Sequence, residues 1–139
     1  MQLNFVAIFA ITLLSFFGGA FWHGPLFGKL WMKIHWGENP PSKKEQENMM
    51  KWMWKQLVTE MIVTFLMITS LACIIRAIPQ YSGVQNAFML WVGFVVPMTV
   101  SNIIWWGDKR AWWCKKILIS VSYRLIVFLV AGYILSVWL

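Results

Sequence analysis

The sequence predicts an all-α fold, an integral membrane four-helix bundle with an interfacial amphipathic segment between the first and second spans. Four long apolar runs occupy most of the chain, and its basic residues lie between them. The composition is 60% hydrophobic and 12% charged, whereas soluble domains have about a quarter of their residues charged. The 139 residues are therefore expected to form a single membrane domain, with an inner-face loop at 23–56 and spans at about 3–22, 57–78, 84–106 and 117–139.

The first span has the length of the hydrocarbon core at about 1.5 Å per residue. It lacks the positively charged start of a signal peptide, which favours a retained span. Asn4 is expected to cap its start. Ser15 and Gly19 are four residues apart and predict a ridge of small residues that another helix can approach closely. At Gly24-Pro25 the helix is predicted to stop, because proline disfavours helical geometry in the residue before it.

The loop at 23–56 contains the interfacial segment. Two consecutive prolines interrupt the chain, and Ser42 and Glu45 then have the spacing of a capping box, so a helix is predicted to begin there. This helix can continue through the second span to about Ile75. Its first part is rich in lysine, methionine and tryptophan, which favours a position at the headgroups over a soluble amphipathic helix that docks on a protein.

The last two spans follow from turn and capping signals. A short loop with a second capping box, at Ser82 and Gln85, forces the third span to run antiparallel to the second. Gly93 and Pro97 predict a kink in the third span. Asp108 lies in the next turn and is expected to be the N-cap of the last helix.

Charge placement predicts the orientation in the membrane. Most of the twelve basic residues lie in the two loops that four antiparallel spans bring to one face: Lys29, Lys33, Lys43, Lys44, Lys51, Lys55, Lys109, Arg110, Lys115 and Lys116. By the positive-inside rule this face is cytoplasmic. Both termini are then expected outside the cytoplasm, in the inner (plasma) membrane of a bacterium. The bias also argues against an antiparallel dimer of dual topology.

Aromatic residues and cysteines agree with this orientation. Most of the eleven tryptophans flank the same face as interfacial anchors: Trp22, Trp31, Trp36, Trp52, Trp54, Trp105, Trp106, Trp112 and Trp113. The expected partners are membrane lipids, with anionic headgroups at the inner face, and other membrane proteins or a second copy of the chain; nucleic acid is not expected. Cys73 and Cys114 lie near opposite surfaces and are expected to be free thiols.

Several stretches resemble one known family. They are Asn4, the motif Trp22-His23-Gly24-Pro25-Leu26-Phe27-Gly28-Lys29-Leu30-Trp31, the segment from Trp91 to Pro97, and Asn102 before Trp105-Trp106-Gly107. In these residues the chain resembles the bacterial "domain of unknown function 1761" family of small four-span membrane proteins. At His23 the family more usually has tyrosine. The resemblance implies the four-span architecture and brings no activity with it.

Two charged residues lie deep within the predicted spans. Glu60 lies about 9 Å in from Trp54, and Arg124 about 12 Å in from Lys116, at 1.5 Å per residue. A lone charge at mid-bilayer costs about 2.5–3.5 kcal/mol on insertion scales, so we predict contact between Glu60 and Arg124, with Asn102 in the same polar cluster. This cluster is either a structural pin, in which the arginine can also snorkel to the headgroups, or part of a proton or substrate path.

Catalytic and metal-binding patterns have little support. His23 and His35 lie at or beyond the inner edge of the spans, without the acidic or cysteine residues of a metal site, so no metal or other cofactor is expected. No catalytic or nucleotide-binding motif is recognisable. We expect a non-enzymatic accessory or structural component that packs against membrane partners, itself or lipid. The alternative is a small transporter or channel that uses Glu60, Asn102 and Arg124 along a path opened at Pro97, and a membrane enzyme comes third.

Overall fold

The computed structural model describes residues 3–37, 39–105 and 109–138, and all regular secondary structure in them is helical. The α-helices are α1 (Phe5–Phe21), α2 (Gly28–Trp36), α3 (Lys43–Ala77), α4 (Gly83–Leu90), α5 (Val96–Trp105) and α6 (Trp113–Trp138). Two π-helical segments, Trp22–Leu26 and Trp91–Val95, and a 3-10 turn, Arg110–Trp112, connect some of them.

Four of the helical stretches are long and apolar enough to cross a membrane. They are Phe5–Leu26, Lys43–Ala77, Gly83–Trp105 and Arg110–Trp138. The predicted all-α bundle of four spans is therefore confirmed. The predicted span ends at 106 and 139 and the Asp108 N-cap lie outside the described residues.

Asn4 caps α1 as predicted and also connects the two ends of the described chain. Its side-chain oxygen accepts a hydrogen bond from the Ala7 N–H (3.1 Å), and its amide group donates one to the Trp138 carbonyl (3.2 Å). The start of α1 and the end of α6 therefore lie at the same end of the bundle.

Both predicted capping boxes are formed. The Ser42 hydroxyl accepts a hydrogen bond from the Glu45 N–H, while the Glu45 carboxylate accepts one from the Ser42 N–H (2.8 Å). Ser82 and Gln85 form the same reciprocal pair at the start of α4. Because each box satisfies backbone donors that the first turn would otherwise leave unpaired, the boundaries of α3 and α4 were predictable from sequence.

The first helix continues through Gly24-Pro25 as a π-helical turn and ends at Leu26, one residue beyond the predicted stop. The Phe27 N–H donates to the Trp22 carbonyl (3.0 Å), five residues back. Proline has no N–H to donate and clashes with the carbonyl four residues earlier, and a wider turn accommodates both effects. Gly28 then begins α2.

The third span has a second π-helical segment, Trp91–Val95, directly before the turn that contains Pro97. π-bulges are one of the recognised causes of irregularity in a helix, as proline is. The structure thus places the irregularity predicted from Gly93 and Pro97 at Trp91–Val95.

The helices pack around α6, which contacts α1, α3, α4 and α5. One core connects four helices and consists of Ile8, Ile11, Ile68, Leu71, Ala72, Ile75, Ala87, Val127, Phe128, Ala131 and Leu135. It lies toward the end of the bundle that holds the start of α1 and the end of α6. We call this the terminal end, and the opposite end, which holds α2 and the start of α3, the basic end.

Two glycines bring α4 and α6 into close contact at the terminal end. A Cβ atom built on Gly132 would lie 2.8 Å from the Ala87 Cβ, and one built on Gly83 would lie 2.9 Å from the Ser136 Cβ. Real Cβ atoms essentially never approach this closely, so this crossing requires glycine at both positions.

At the basic end, by contrast, the residues of α3 from 43 to 60 are all exposed.

Candidate functional site

The motif at residues 22–31 builds an aromatic cluster against Tyr123 of α6. The Trp22 ring centroid lies 4.9 Å from that of Phe27 and 5.9 Å from that of Tyr123. The His23 ring lies 4.7 Å from Trp31 and 5.7 Å from Tyr123, both nearly edge to face. Such arrangements add to the stabilisation that ring burial provides, so the motif fixes the end of the first span to α6.

The small residues of the motif fit the tight path between α1 and α2. A Cβ on Gly28 would lie 3.2 Å from the His23 carbonyl oxygen, so the start of α2 lies close under the π-helical turn. Gly24, by contrast, is exposed, with no atom within 4 Å of a built Cβ. The structure therefore gives Gly28 a steric role and Gly24 none.

Two indole groups donate hydrogen bonds to one turn of α6. The Trp22 Nε1–H donates to the Ile119 carbonyl (3.1 Å), and the Trp91 Nε1–H donates to the Val121 carbonyl (3.1 Å). Each of these tryptophans is the first residue of a π-helical segment. Sequence analysis assigned Trp22 to anchoring at the membrane surface and gave Trp91 no structural role. The sequence feature that the two tryptophans share is a proline a few residues later in the same span, Pro25 and Pro97.

The ridge of small residues predicted on α1 accommodates Tyr123. The Tyr123 hydroxyl donates a hydrogen bond to the Ser15 carbonyl. A Cβ on Gly19 would lie 3.1 Å from the tyrosine oxygen, tighter than most real contacts. The ridge therefore receives the tip of a tyrosine side chain, and a close approach of another helix backbone at this ridge stays a prediction.

One side of α3 carries a repeat of alternating four- and three-residue steps that passes from the core to the exposed surface. It consists of Met50, Trp54, Leu57, Met61, Thr64, Ile68, Leu71 and Ile75. The four residues nearest the terminal end are buried, whereas Met50, Trp54 and Leu57 are 67%, 60% and 44% exposed. Such 4–3 spacing is the pattern of a helix that packs along another helix. The same stripe therefore has a partner in its C-terminal half and none in the described residues of its N-terminal half.

The structure does not bring the predicted polar cluster together. Glu60, Asn102 and Arg124 are all exposed, and no ion pair or hydrogen bond joins Glu60 to Arg124 in the described part of the chain. The contact was predicted from similar depth along two helices that were assumed to pack against each other over their whole length. In the structure, α3 has no buried residue on the N-terminal side of Thr64, which is where Glu60 lies.

The histidines have local partners. His23 Nδ1 lies 3.1 Å from the Gly19 carbonyl, and His35 Nδ1 lies 3.0 Å from the Trp31 carbonyl. Among the described residues, no group of three His, Cys, Asp or Glu side chains could hold a metal ion. Cys73 and Cys114 are free thiols, as predicted.

Two apolar grooves lie on the bundle surface. One runs between α1 and α6 past Leu14 and Tyr133, and the other runs between α4 and α6 past Phe88 and Leu129. Neither includes Glu60, Asn102 or Arg124.

Comparison with known proteins gives one match. The model of a family described as "Protein of unknown function (DUF1761)" matches residues 6–136. The chain belongs to the DUF1761 family. No curated protein and no solved structure matches it.

The family assignment confirms the resemblance found in the motif and in the spans, and it adds no chemistry. In this DUF1761 protein the candidate site is therefore defined by geometry alone. It is the open basic end of the bundle, where the α3 stripe is exposed and where Glu60 and Arg124 have no ionic partner among the described residues.

Proposed function

We propose that this DUF1761 protein is a non-enzymatic structural or accessory component of the membrane that works by helix–helix packing, and that its first partner is a second copy of itself. The observation that carries the proposal is the α3 stripe, which is buried from Thr64 to Ile75 and exposed from Met50 to Leu57. A second α3 helix packed along the exposed half would continue an interface that the first half already forms.

The length of α3 supports a contact near the membrane surface. Its 35 residues extend about 52 Å at 1.5 Å per residue, more than the roughly 40–45 Å of a bilayer with its headgroups. The exposed half of the stripe therefore lies in the outer part of the membrane and its headgroups. Lys51 and Lys55 lie on a different side of α3 from Met50 and Leu57, because each residue turns the helix by about 100°. The Lys55 Nζ nevertheless lies 5.7 Å from the Trp54 ring centroid, so a helix that packs on Trp54 has to accommodate this ammonium group.

Charge complementarity favours a second copy over an unrelated partner. Glu60 and Arg124 lie at similar depths from the basic end, about 9 and 12 Å, and neither has an ionic partner in the described part of its own chain. An unpaired charge within a span is costly. In a parallel dimer with a two-fold axis, Glu60 of each copy can pair with Arg124 of the other, and one mutual contact then gives two ion pairs.

Cysteine crosslinking tests the packing side directly. In a Cys73→Ser/Cys114→Ser background, Met50→Cys and Leu57→Cys should give covalent dimers in native membranes. Lys51→Cys and Val58→Cys, each one residue from a stripe position and therefore at similar depth but on another side of α3, are the matched controls and should give few. Equal crosslinking from both sides, or none from the stripe, would refute the proposal. An adduct of another mass from the stripe alone would replace the second copy by a different partner.

Charge reversal tests the pairing. Glu60→Arg and Arg124→Glu should each weaken the dimer by at least about tenfold, because each leaves like charges opposed within a span. The double variant should restore it. If both single variants dimerise as the natural chain does, the two residues do not pair between copies and serve a separate role.

A small transporter or channel is the second candidate, because Glu60, Asn102 and Arg124 all reach the surface at the open end. Its test is proton flux into liposomes that contain the protein and a pH-sensitive dye. Transport through this site requires a flux that Glu60→Gln abolishes while the crosslinked dimer persists. The two apolar grooves lie away from these residues, which is why we place transport second.

A further inference from the structure

Two lysines from different helices converge on one indole ring at the basic end. The Lys33 Nζ of α2 lies 5.9 Å from the Trp112 ring centroid, and the Lys115 Nζ of α6 lies 4.9 Å from it. The two ammonium groups are therefore within about 11 Å of each other, the sum of those distances. Cation–π contact holds each lysine against the ring, so the two charges are placed by the fold.

These two charges have no acidic partner among residues 3–37, 39–105 and 109–138. Both lysines are exposed, and neither forms an ion pair within the described residues. Four acidic residues, Glu38, Glu45, Glu47 and Asp108, lie in the loop regions that hold ten basic ones. The surroundings are therefore positive, and two like charges near each other favour an anion between them.

The positions of Lys33 and Lys115 relative to the membrane spans indicate that the anion is the phosphate group of a lipid. Lys33 lies seven residues beyond the end of the first hydrophobic stretch at Leu26, and Lys115 lies at the start of α6, which enters the last span. Trp112 is half-buried between them, and tryptophan is enriched at the level of the lipid headgroups. The phosphate groups of phospholipids lie at this level, and basic sites between helices at a membrane surface are a recognised way to hold them.

We propose that Lys33 and Lys115, both held against Trp112, form a binding site for the phosphate of an anionic phospholipid, in which the two ammonium groups contact the phosphate and the indole ring positions the lysines. The site would bridge α2 to the start of α6. This differs from the diffuse attraction that any basic membrane surface exerts, because it needs two particular lysines. It is independent of the self-association proposed above.

The test uses lipid retention measured by native mass spectrometry on the full chain, with phosphatidylglycerol or phosphatidylcholine added to the delipidated protein. The natural chain should retain phosphatidylglycerol in preference. Lys33→Gln/Lys115→Gln should weaken that binding by at least about tenfold, because each substitution removes a charge-assisted hydrogen bond to the phosphate. Lys43→Gln/Lys44→Gln is the matched control: it removes the same charge at the same end of the bundle and should change binding by only a few-fold.

Two further arms keep the result decisive. Lys33→Arg/Lys115→Arg preserves both charges and should bind as the natural chain does, and circular dichroism checks that every variant remains helical. Equal losses in the two glutamine variants would overturn the proposal, since they would show diffuse attraction only. Equal retention of the zwitterionic lipid would overturn it as well. Displacement of the lipid by millimolar inorganic phosphate would mean that the site binds free phosphate, and the lipid assignment would be wrong.

Discussion

The crossing of α4 and α6 provides the sharpest test of the packing described above. At this crossing Gly132 faces the Gly83 backbone and the Ala87 side chain. Gly132→Ala adds one methyl group, and its carbon atom would lie 2.8 Å from the Ala87 Cβ. Carbon atoms in favourable contact are about 3.5–4.0 Å apart. The two helices must therefore separate by about 1 Å, or the bundle must bend, to accept the substitution.

The expected cost follows from two opposing terms. Overpacking of a well-packed interior costs about 1–3 kcal/mol, and the obstructing Gly83 carbonyl is backbone that no rotamer change can move. Alanine is better than glycine within a helix by about 0.8–1.0 kcal/mol. We therefore expect Gly132→Ala to lower the free energy of unfolding by up to about 2 kcal/mol.

Gly93→Ala is the matched control, because a Cβ at Gly93 meets no atom within 4 Å. It should leave stability unchanged or raise it by up to about 1 kcal/mol. Both variants can be compared in mixed micelles, with unfolding by sodium dodecyl sulfate followed by circular dichroism. If Gly132→Ala is as stable as Gly93→Ala, the close approach of α4 and α6 is wrong.

Three other predictions concern the indole hydrogen bonds to α6, the cap of α3 and the orientation in the membrane. Trp22→Phe and Trp91→Phe should each lower the free energy of unfolding by about 0.5–1.5 kcal/mol, because each variant loses one hydrogen bond to α6. The unfolding assay described above measures this loss. The control variant Trp138→Phe, at the exposed end of α6, should have a smaller effect. The pKa of Glu45 is held below its usual value by hydrogen bonds from the Ser42 hydroxyl and N–H, so the α3 cap should be fully stabilising above the ordinary glutamate pKa of about 4.3 and lost as pH falls through the lowered value. Amide exchange in the first turn of α3, corrected for intrinsic rates, should show this loss in the natural chain and not in Glu45→Gln. Cys114 is exposed at the basic end. If that end is cytoplasmic, an impermeant maleimide should label Cys114 in inverted vesicles and not in intact cells. The reverse labelling pattern would refute the orientation predicted from charge.

Sequence reasoning succeeded where the controlling interactions are local. The capping boxes at Ser42 and Ser82 each involve residues three apart, so their spacing alone predicts them. The apolar runs likewise predict the spans, because the thickness of a bilayer fixes the length that each must have.

It failed where geometry between distant helices decides the outcome. The Gly83–Gly132 approach joins residues far apart in the chain, and no local pattern distinguishes these glycines from the exposed Gly24. The direct Glu60–Arg124 contact was predicted because the two residues lie at similar depths in the membrane. Depth does not reveal that the part of α3 on the N-terminal side of Thr64 lies outside the core. The helix end predicted at Gly24-Pro25 is displaced by one residue, to Leu26, because a widened turn lets the chain remain helical through the proline.

The two indole groups on α6 have a mechanical consequence. A slide of α6 by one residue would carry the Ile119 and Val121 carbonyls about 1.5 Å along the axis and turn them by about 100°, which would break both bonds together. Two restraints from separate spans thus oppose translation and rotation of this helix at once. The last helix is consequently held in register against the first and third spans together.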